Sequence, residues 1–259
     1  MEPSEGRRLA LLLEYDGTEF AGSQSQPAAR TVQGAVEAAL EQFTGERQRV
    51  AFAGRTDAGV HASGQVAALT TATSYGLAAF RDALNHFLPE DVAVRAAAEV
   101  AAGFDPRRHA RSRRYRYRVM DGQKRSPLER HRAWQVEHPL DASAMAAAVA
   151  LLPRENRDWA AFGGAVPEGY PTVRTLLHAE VERAGPNELV VVLEADGFLP
   201  HQVRLTVGAL WRVGSGKLTP GQFAEMVDGP PASAGPAAPP QGLTLIAVRY
   251  ASGAVDWGT

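Results

Sequence analysis

Val50 to Ala53 is an apolar run that stops at Gly54, and strand character does not resume until Gln65 and Val66. Between them lies Arg55-Thr56-Asp57-Ala58-Gly59-Val60-His61-Ala62-Ser63-Gly64, a loop holding one arginine and one carboxylate with glycines on both sides. Glycine tolerates positive φ and lets the backbone approach a ligand closely. A fold built on this chain must therefore deliver a strand into a tight turn and present Asp57 at the strand end. An aspartate in such a turn also serves as a simple backbone cap. No second carboxylate stands nearby in sequence to make an acid–base pair of the glycosidase kind. If Asp57 reacts, it works alone, which points to nucleophilic attack or proton abstraction and away from hydrolysis by activated water.

The rest of the composition narrows the class. The 259 residues suffice for one large domain or two small ones. No apolar run reaches the roughly 18 residues of a membrane helix, and Met1 to Arg8 lacks the apolar centre of a signal peptide. With no cysteine there is neither disulfide nor thiolate zinc site, which fits a cytoplasmic protein. The seven histidines are scattered, so no metal is expected. Net charge is only −2, yet Phe104 to Arg132 holds ten arginines and Lys124 against Asp105, Asp121 and Glu129. Such a split concentrates positive potential on one region and suits an anionic partner such as nucleic acid, although a solvated charged face has the same composition.

Periodicity gives the order of elements. Beyond a disordered Met1 to Gly6, strands are expected at Leu9–Tyr15, Val50–Ala53, Gln65–Thr71 and Val92–Val100. Helices are expected at Thr31–Phe43, capped by Thr31, and at Tyr75–Phe87. A second half follows loosely the same grammar. It reads as a strand Arg113–Met120, a helix Asp141–Leu152, and a hairpin of Thr175–Ala184 with Glu188–Asp196 turning at Gly185-Pro186-Asn187. Helices His201–Val213 and Pro220–Val227, the latter capped by Thr219, precede a last strand Leu243–Tyr250. The order suggests two α+β halves, 7–105 and 106–251, with the boundary near Gly103 to Arg111.

Three further segments carry candidate chemistry. In Arg113-Arg114-Tyr115-Arg116-Tyr117-Arg118, strand alternation puts the tyrosines on one face and Arg114, Arg116 and Arg118 on the other. A tyrosine facing a crevice can stack on a base and move a proton through its hydroxyl. Arg107, Arg108, Arg111 and Arg114 are candidates for phosphate contacts, which position a nucleic acid without reading its sequence. Asp196-Gly197-Phe198-Leu199-Pro200-His201-Gln202-Val203-Arg204 opens a helix with an arginine in its first turns. Ala238-Pro239-Pro240-Gln241-Gly242-Leu243 precedes the last strand.

Taken with Tyr15-Asp16-Gly17-Thr18-Glu19-Phe20, Thr31-Val32-Gln33 and Thr172-Val173-Arg174-Thr175, these segments resemble, in order, those of the tRNA pseudouridine synthase A family, the tRNA pseudouridine(38–40) synthases. The loop Gly54-Arg55-Thr56-Asp57-Ala58-Gly59-Val60-His61-Ala62 resembles its signature, and the likeness runs from about residue 9 to 250. The resemblance implies the pseudouridine synthase fold: two ferredoxin-like, RRM-like α+β halves sharing a mixed, largely antiparallel central sheet. It implies conversion of uridine to pseudouridine in the anticodon stem-loop of tRNA, with no cofactor and no metal, by a homodimer that holds one tRNA across both subunits. By the same likeness Asp57 is the catalytic carboxylate and nucleophile, Tyr115 the active-site tyrosine, and Arg204 the cation paired with the aspartate. Leu243 becomes an apolar wall against uracil, and Tyr117 remains core. The target uridine must leave the helical stack, and Arg55 is well placed to fill the vacated space.

The chain departs from the family pattern at Ser23, where tryptophan is usual, and at His109, where a small or aromatic residue is common. Two other classes compete with this reading. A non-catalytic RNA-binding module explains the arginines but lacks an aromatic ribonucleoprotein strand motif. A nucleoside or glycoside hydrolase explains Asp57 but not the arginines.

Overall fold

Leu9 to Leu13 is apolar without alternation, the pattern of a strand covered on both faces, and in the computed structural model it lies in the middle of a sheet. The structure describes residues 6–122 and 124–258; the expected disordered start falls, but for Gly6, outside them. Contacts divide the chain into two units, Met1–Arg111 with Leu245–Thr259, and Ser112–Thr244.

In the first unit, strand β1 (Arg7–Tyr15) runs antiparallel to both β3 (His61–Thr71) and β4 (Val92–Val100). The short β2 (Ala51–Phe52) pairs with β3. Helices α1 (Val32–Thr44) and α2 (Leu77–Phe87) pack together, and α2 packs against β4. Another apolar cluster joins Ala10, Val66, Ala68 and Phe104 to Val248, Tyr250, Val255 and Trp257, so the chain's tail returns to cover this sheet. Gly64 marks how closely that return runs. A Cβ there would lie 2.2 Å from the carbonyl oxygen of Ile246.

The second unit is built on β5 (Ser112–Asp121), to which β6 (Trp134–Val136) adds in parallel. Beyond them come β7 (Asn156–Asp158), β8 (Val173–Gly185) and β9 (Glu188–Ala195), in the antiparallel order β5-β9-β8-β7. Tyr117, Val119, Leu189, Val191 and Leu193 are buried. Helices α3 (Ala142–Ala150), α4 (Gln202–Gly214) and α5 (Pro220–Glu225) pack on one another, and α3 packs on β8. The last strand, β10 (Leu243–Arg249), begins in this unit and ends in the first.

The expected α+β order is realised. Thr31 and Asp141 each accept a backbone N–H from the first turn of their helix, and Thr219 forms a reciprocal capping box with Gln222. The strands β6 and β7 were not foreseen, because three residues are too few to show alternation.

An ion pair between a buried carboxylate and a partly exposed arginine ties the second unit together. Arg183 on β8 donates to both carboxylate oxygens of Asp121, at 2.9 and 3.0 Å, while the Leu140 N–H donates to the same carboxylate at 2.7 Å. Burial opposes ionisation of Asp121, but the hydrogen bonds from Arg183 and Leu140 outweigh it and hold the carboxyl below its ordinary 3.8.

Candidate active site

The loop between β2 and β3 is held from below by uncharged polar groups. The Thr56 N–H donates to Ser23 Oγ at 2.8 Å, and the Ser23 N–H returns the bond to the Thr56 carbonyl at 3.0 Å. The Thr56 hydroxyl meets the Tyr15 hydroxyl at 2.9 Å, and Gln65 Nε2 donates to the Gly54 carbonyl at 2.8 Å. Ser23, Thr56, Tyr15 and Gln65 are all buried, and burial raises the Tyr15 hydroxyl to about 12. The Val60 N–H closes a turn on the Asp57 carbonyl at 3.1 Å, and the Gly59 N–H reaches the Phe20 carbonyl. With Thr56 turned inward, Arg55 is exposed and Asp57 is half-exposed. A carboxylate in that position is carried on a braced backbone and is partly accessible to solvent.

Gly17 and Gly22 make this bracing possible. A Cβ on Gly17 would lie 2.0 Å from the Val60 carbonyl oxygen. Gly22 takes φ +104 and passes so close to the Thr56 carbonyl that a Cβ would lie 2.9 Å from it. The bracing residues were not recognised from the sequence; the only signal was the unusual serine at position 23.

The second unit gathers its own group of sequence-expected residues. The β5 alternation is as expected, with Tyr115 and Tyr117 buried and Arg114, Arg116 and Arg118 less so. Tyr115 meets the ring of Phe198 edge-on, at 5.3 Å between centroids and 85°. Phe198 lies just ahead of α4, which His201 opens in the left-handed conformation at φ 60. Arg204 is therefore in the first helical turn, where the dipole disfavours a cation. It is held there by a reciprocal bond: its Nε donates to the Ala238 carbonyl at 2.8 Å, and the Ala238 N–H donates to the Arg204 carbonyl at 2.9 Å.

The same segment takes a bond from the Tyr117 hydroxyl, which donates to the Pro239 carbonyl at 2.7 Å. Gly242 has no room for a Cβ, which would sit 2.6 Å from the Tyr117 ring. Leu243 follows it and is buried. The loop 238–243 thus fixes Arg204, Tyr117 and Leu243 at once.

The arginine-rich stretch separates into two kinds of residue. Arg107, Arg108 and Arg111 are exposed, and the backbone N–H groups of Arg107 and Arg108 donate to the Asp105 carboxylate at 2.8 and 2.9 Å. The Arg108 N–H leads the groups that keep the Asp105 carboxyl below its ordinary value. Arg114 is half-buried beside Glu194, 3.8 Å away, and Arg118 is bound to Glu129 and Glu188. Among the described residues no cluster of three or more His, Asp or Glu side chains could hold a metal ion.

Comparison with known proteins places these features in context. A family model described as tRNA pseudouridine synthase matches residues 12–107 and 156–251. The tRNA pseudouridine synthase A of Geobacter sulfurreducens is 46% identical over 245 residues, covering 94% of this chain and 100% of that protein. Those of Chloroflexus aurantiacus (strain J-10-fl) and Myxococcus xanthus are each 45% identical, over 97% and 95% of this chain and 91% and 93% of their own lengths. The family match takes in the Asp57 loop, Arg204 and the 238–243 segment.

Proposed function

This chain belongs to the tRNA pseudouridine synthase family, and from that premise we propose that it isomerises uridines 38, 39 and 40 in the anticodon stem-loop of tRNA. It is an enzyme with the pseudouridine synthase fold, converting uridine to pseudouridine in tRNA. The reaction breaks the N-glycosidic bond and re-forms it at carbon 5 of the same base. Electrons and water are neither gained nor lost. A single positioned carboxylate is therefore chemically sufficient to begin it, by attack on ribose or uracil or by removal of a sugar proton.

The observation that carries this reading is the Asp57 loop, which matches the family and holds its carboxylate half-exposed on a braced backbone. Asp57 is the reacting carboxylate. Arg204 is the cation paired with it, and Tyr115 stacks on the base and helps move the carbon 5 proton. Leu243 supplies apolar wall to the uracil. Arg55, exposed two residues before Asp57, fills the space that the extruded nucleotide leaves. The exposed Arg107, Arg108 and Arg111, with Arg114, contact phosphates. The working form is a homodimer in the cytoplasm, with one tRNA held across both subunits.

The test is to incubate the protein with unmodified tRNA transcript and map pseudouridine by carbodiimide-dependent primer extension. Wild type gives carbodiimide-dependent stops that report pseudouridine at 38, 39 or 40, and Asp57→Asn gives none. Release of free uracil would indicate a hydrolase instead. Modification that survives Asp57→Asn would remove the carboxylate from the chemistry.

A further inference from the structure

We infer that Ser23 is a positioning residue for Asp57, acting with Thr56, Tyr15 and Gln65 as a neutral buried brace that sets the direction of the reacting carboxylate. This rests on the proposed reaction and adds the part of the molecule that aims it.

The argument is geometric. Ser23 makes two bonds to Thr56, and they fall on the two peptide groups that flank it. Its Oγ accepts the Thr56 N–H, which belongs to the Arg55–Thr56 peptide. Its N–H donates to the Thr56 carbonyl, which belongs to the Thr56–Asp57 peptide. Fixing both peptide planes fixes φ and ψ of Thr56, the backbone having only those two soft dihedrals per residue. They place the Asp57 Cα, and the Val60 N–H on the Asp57 carbonyl restrains the remaining rotation that sets where its side chain leaves the backbone.

The side chain of Thr56 is pinned as well, by the Tyr15 hydroxyl. Gln65, which donates to the Gly54 carbonyl, lies 3.4 Å from that same hydroxyl, so the start and the middle of the loop share one support. Ser23 itself is anchored from behind. The Val32 and Gln33 N–H groups at the open end of α1 donate to the carbonyls of Gly22 and Ser23, at 3.3 and 2.9 Å. The brace thus connects the N-terminus of a helix to the residue next to Asp57 through hydrogen bonds alone.

None of the four side chains changes charge in the working range, since the Tyr15 hydroxyl is raised to about 12. Losing part of the brace lowers the rate at every pH without moving the pH profile. Of the residues proposed to meet RNA only Arg55 adjoins the brace, and the phosphate-contacting arginines Arg107, Arg108, Arg111 and Arg114 belong to another segment, so affinity for tRNA is spared.

Ser23→Ala removes only the Oγ acceptor and leaves the Ser23 N–H bond in place. Single-turnover pseudouridine formation on saturating tRNA is expected to fall about tenfold, roughly the effect of one buried hydrogen bond. Dissociation constant and pH profile stay those of wild type. Thr56→Val, which keeps shape and loses the hydroxyl, lowers the rate similarly, and Thr56→Ser restores it. Amide hydrogen exchange at Thr56 supplies a readout independent of activity, and it speeds up in Ser23→Ala.

The inference is overturned if Ser23→Ala turns over at the wild-type rate, if rate and affinity fall together, or if Thr56 exchange is unchanged. Absence of pseudouridine with wild type would fell the proposed function instead. The exchange data would then still say whether the brace holds the loop.

Discussion

The two units hold their chemistry-bearing residues by different physical means. In the first, the support beneath Asp57 is neutral: serine, threonine, tyrosine and glutamine, joined by hydrogen bonds to backbone groups. In the second, Tyr115 and Arg204 stand on aromatic packing and a backbone-bonded loop, inside a unit tied by the Asp121–Arg183 ion pair. A buried neutral network is costly to leave half-made but insensitive to pH and salt. An ion pair is sensitive to acid, because its carboxylate must stay ionised. The carboxylate proposed to react, Asp57, thus follows residues held by groups that carry no charge, Ser23, Tyr15 and Gln65.

Asp57→Asn is the hardest test of that contrast. Turnover should drop on the order of 10⁴-fold or more, while the Tm and the dissociation constant for tRNA stay near wild type, as filter binding and calorimetry would show. A parallel loss of stability would mean that the carboxylate is part of the scaffold and not something the scaffold carries.

The corresponding attack on the second unit is Asp121→Asn. It leaves Arg183, whose side chain is 33% exposed, without its carboxylate, and should cost about 3 kcal/mol in denaturant melts. The sign of the pH dependence follows from the lowered folded-state value. The Asp121 contribution is fully present above 3.8 and is lost as pH falls through the lower folded value. Wild type should thus lose stability more steeply than Asp121→Asn on acidification below pH 4, roughly the unfolded value. Equal slopes would break the contrast between titrating and neutral supports.

Tyr115→Phe keeps the ring edge against Phe198 and removes the hydroxyl. We expect kcat to fall about 100-fold with KM unchanged if the hydroxyl moves a proton. A rise in KM with constant kcat would reduce Tyr115 to a stacking surface. The smallest effect is expected from Arg108→Gln, whose exposed side chain lies 3.9 Å from Asp105 of its own turn. Affinity for tRNA should weaken about threefold and the slope of log K against log salt should shrink by about 1.

Much of the fold could be read from local pattern. Thr31, Asp141 and Thr219 announce helix starts because an N-cap is a contact within a few residues. Tyr115 and Tyr117 share a face because strand side chains alternate. The Asp57 loop could be singled out because glycines bracket a charge. By contrast, β6 and β7 escape because each is three residues long and exists only through pairing with a partner strand. The dual duty of the 238–243 loop is equally hidden, since Arg204 and Tyr117 meet it across long sequence distances. So is the split within the arginine run, where Arg114 and Arg118 face carboxylates from distant segments while Arg107 and Arg108 stay exposed.

What the amino-acid order determined unaided is whatever depends on neighbours within a turn or a strand: most element types, helix caps, the tyrosine face and the glycine-bracketed turn that carries Asp57. Only the tertiary structure decided that the tail beyond Tyr250 returns to cover the first sheet, and that Ser23, once merely an odd residue in a loop, closes against Thr56. Both depend on close approach between backbones far apart in sequence. At Gly22 and Gly64 that approach is possible only because no Cβ stands in the way.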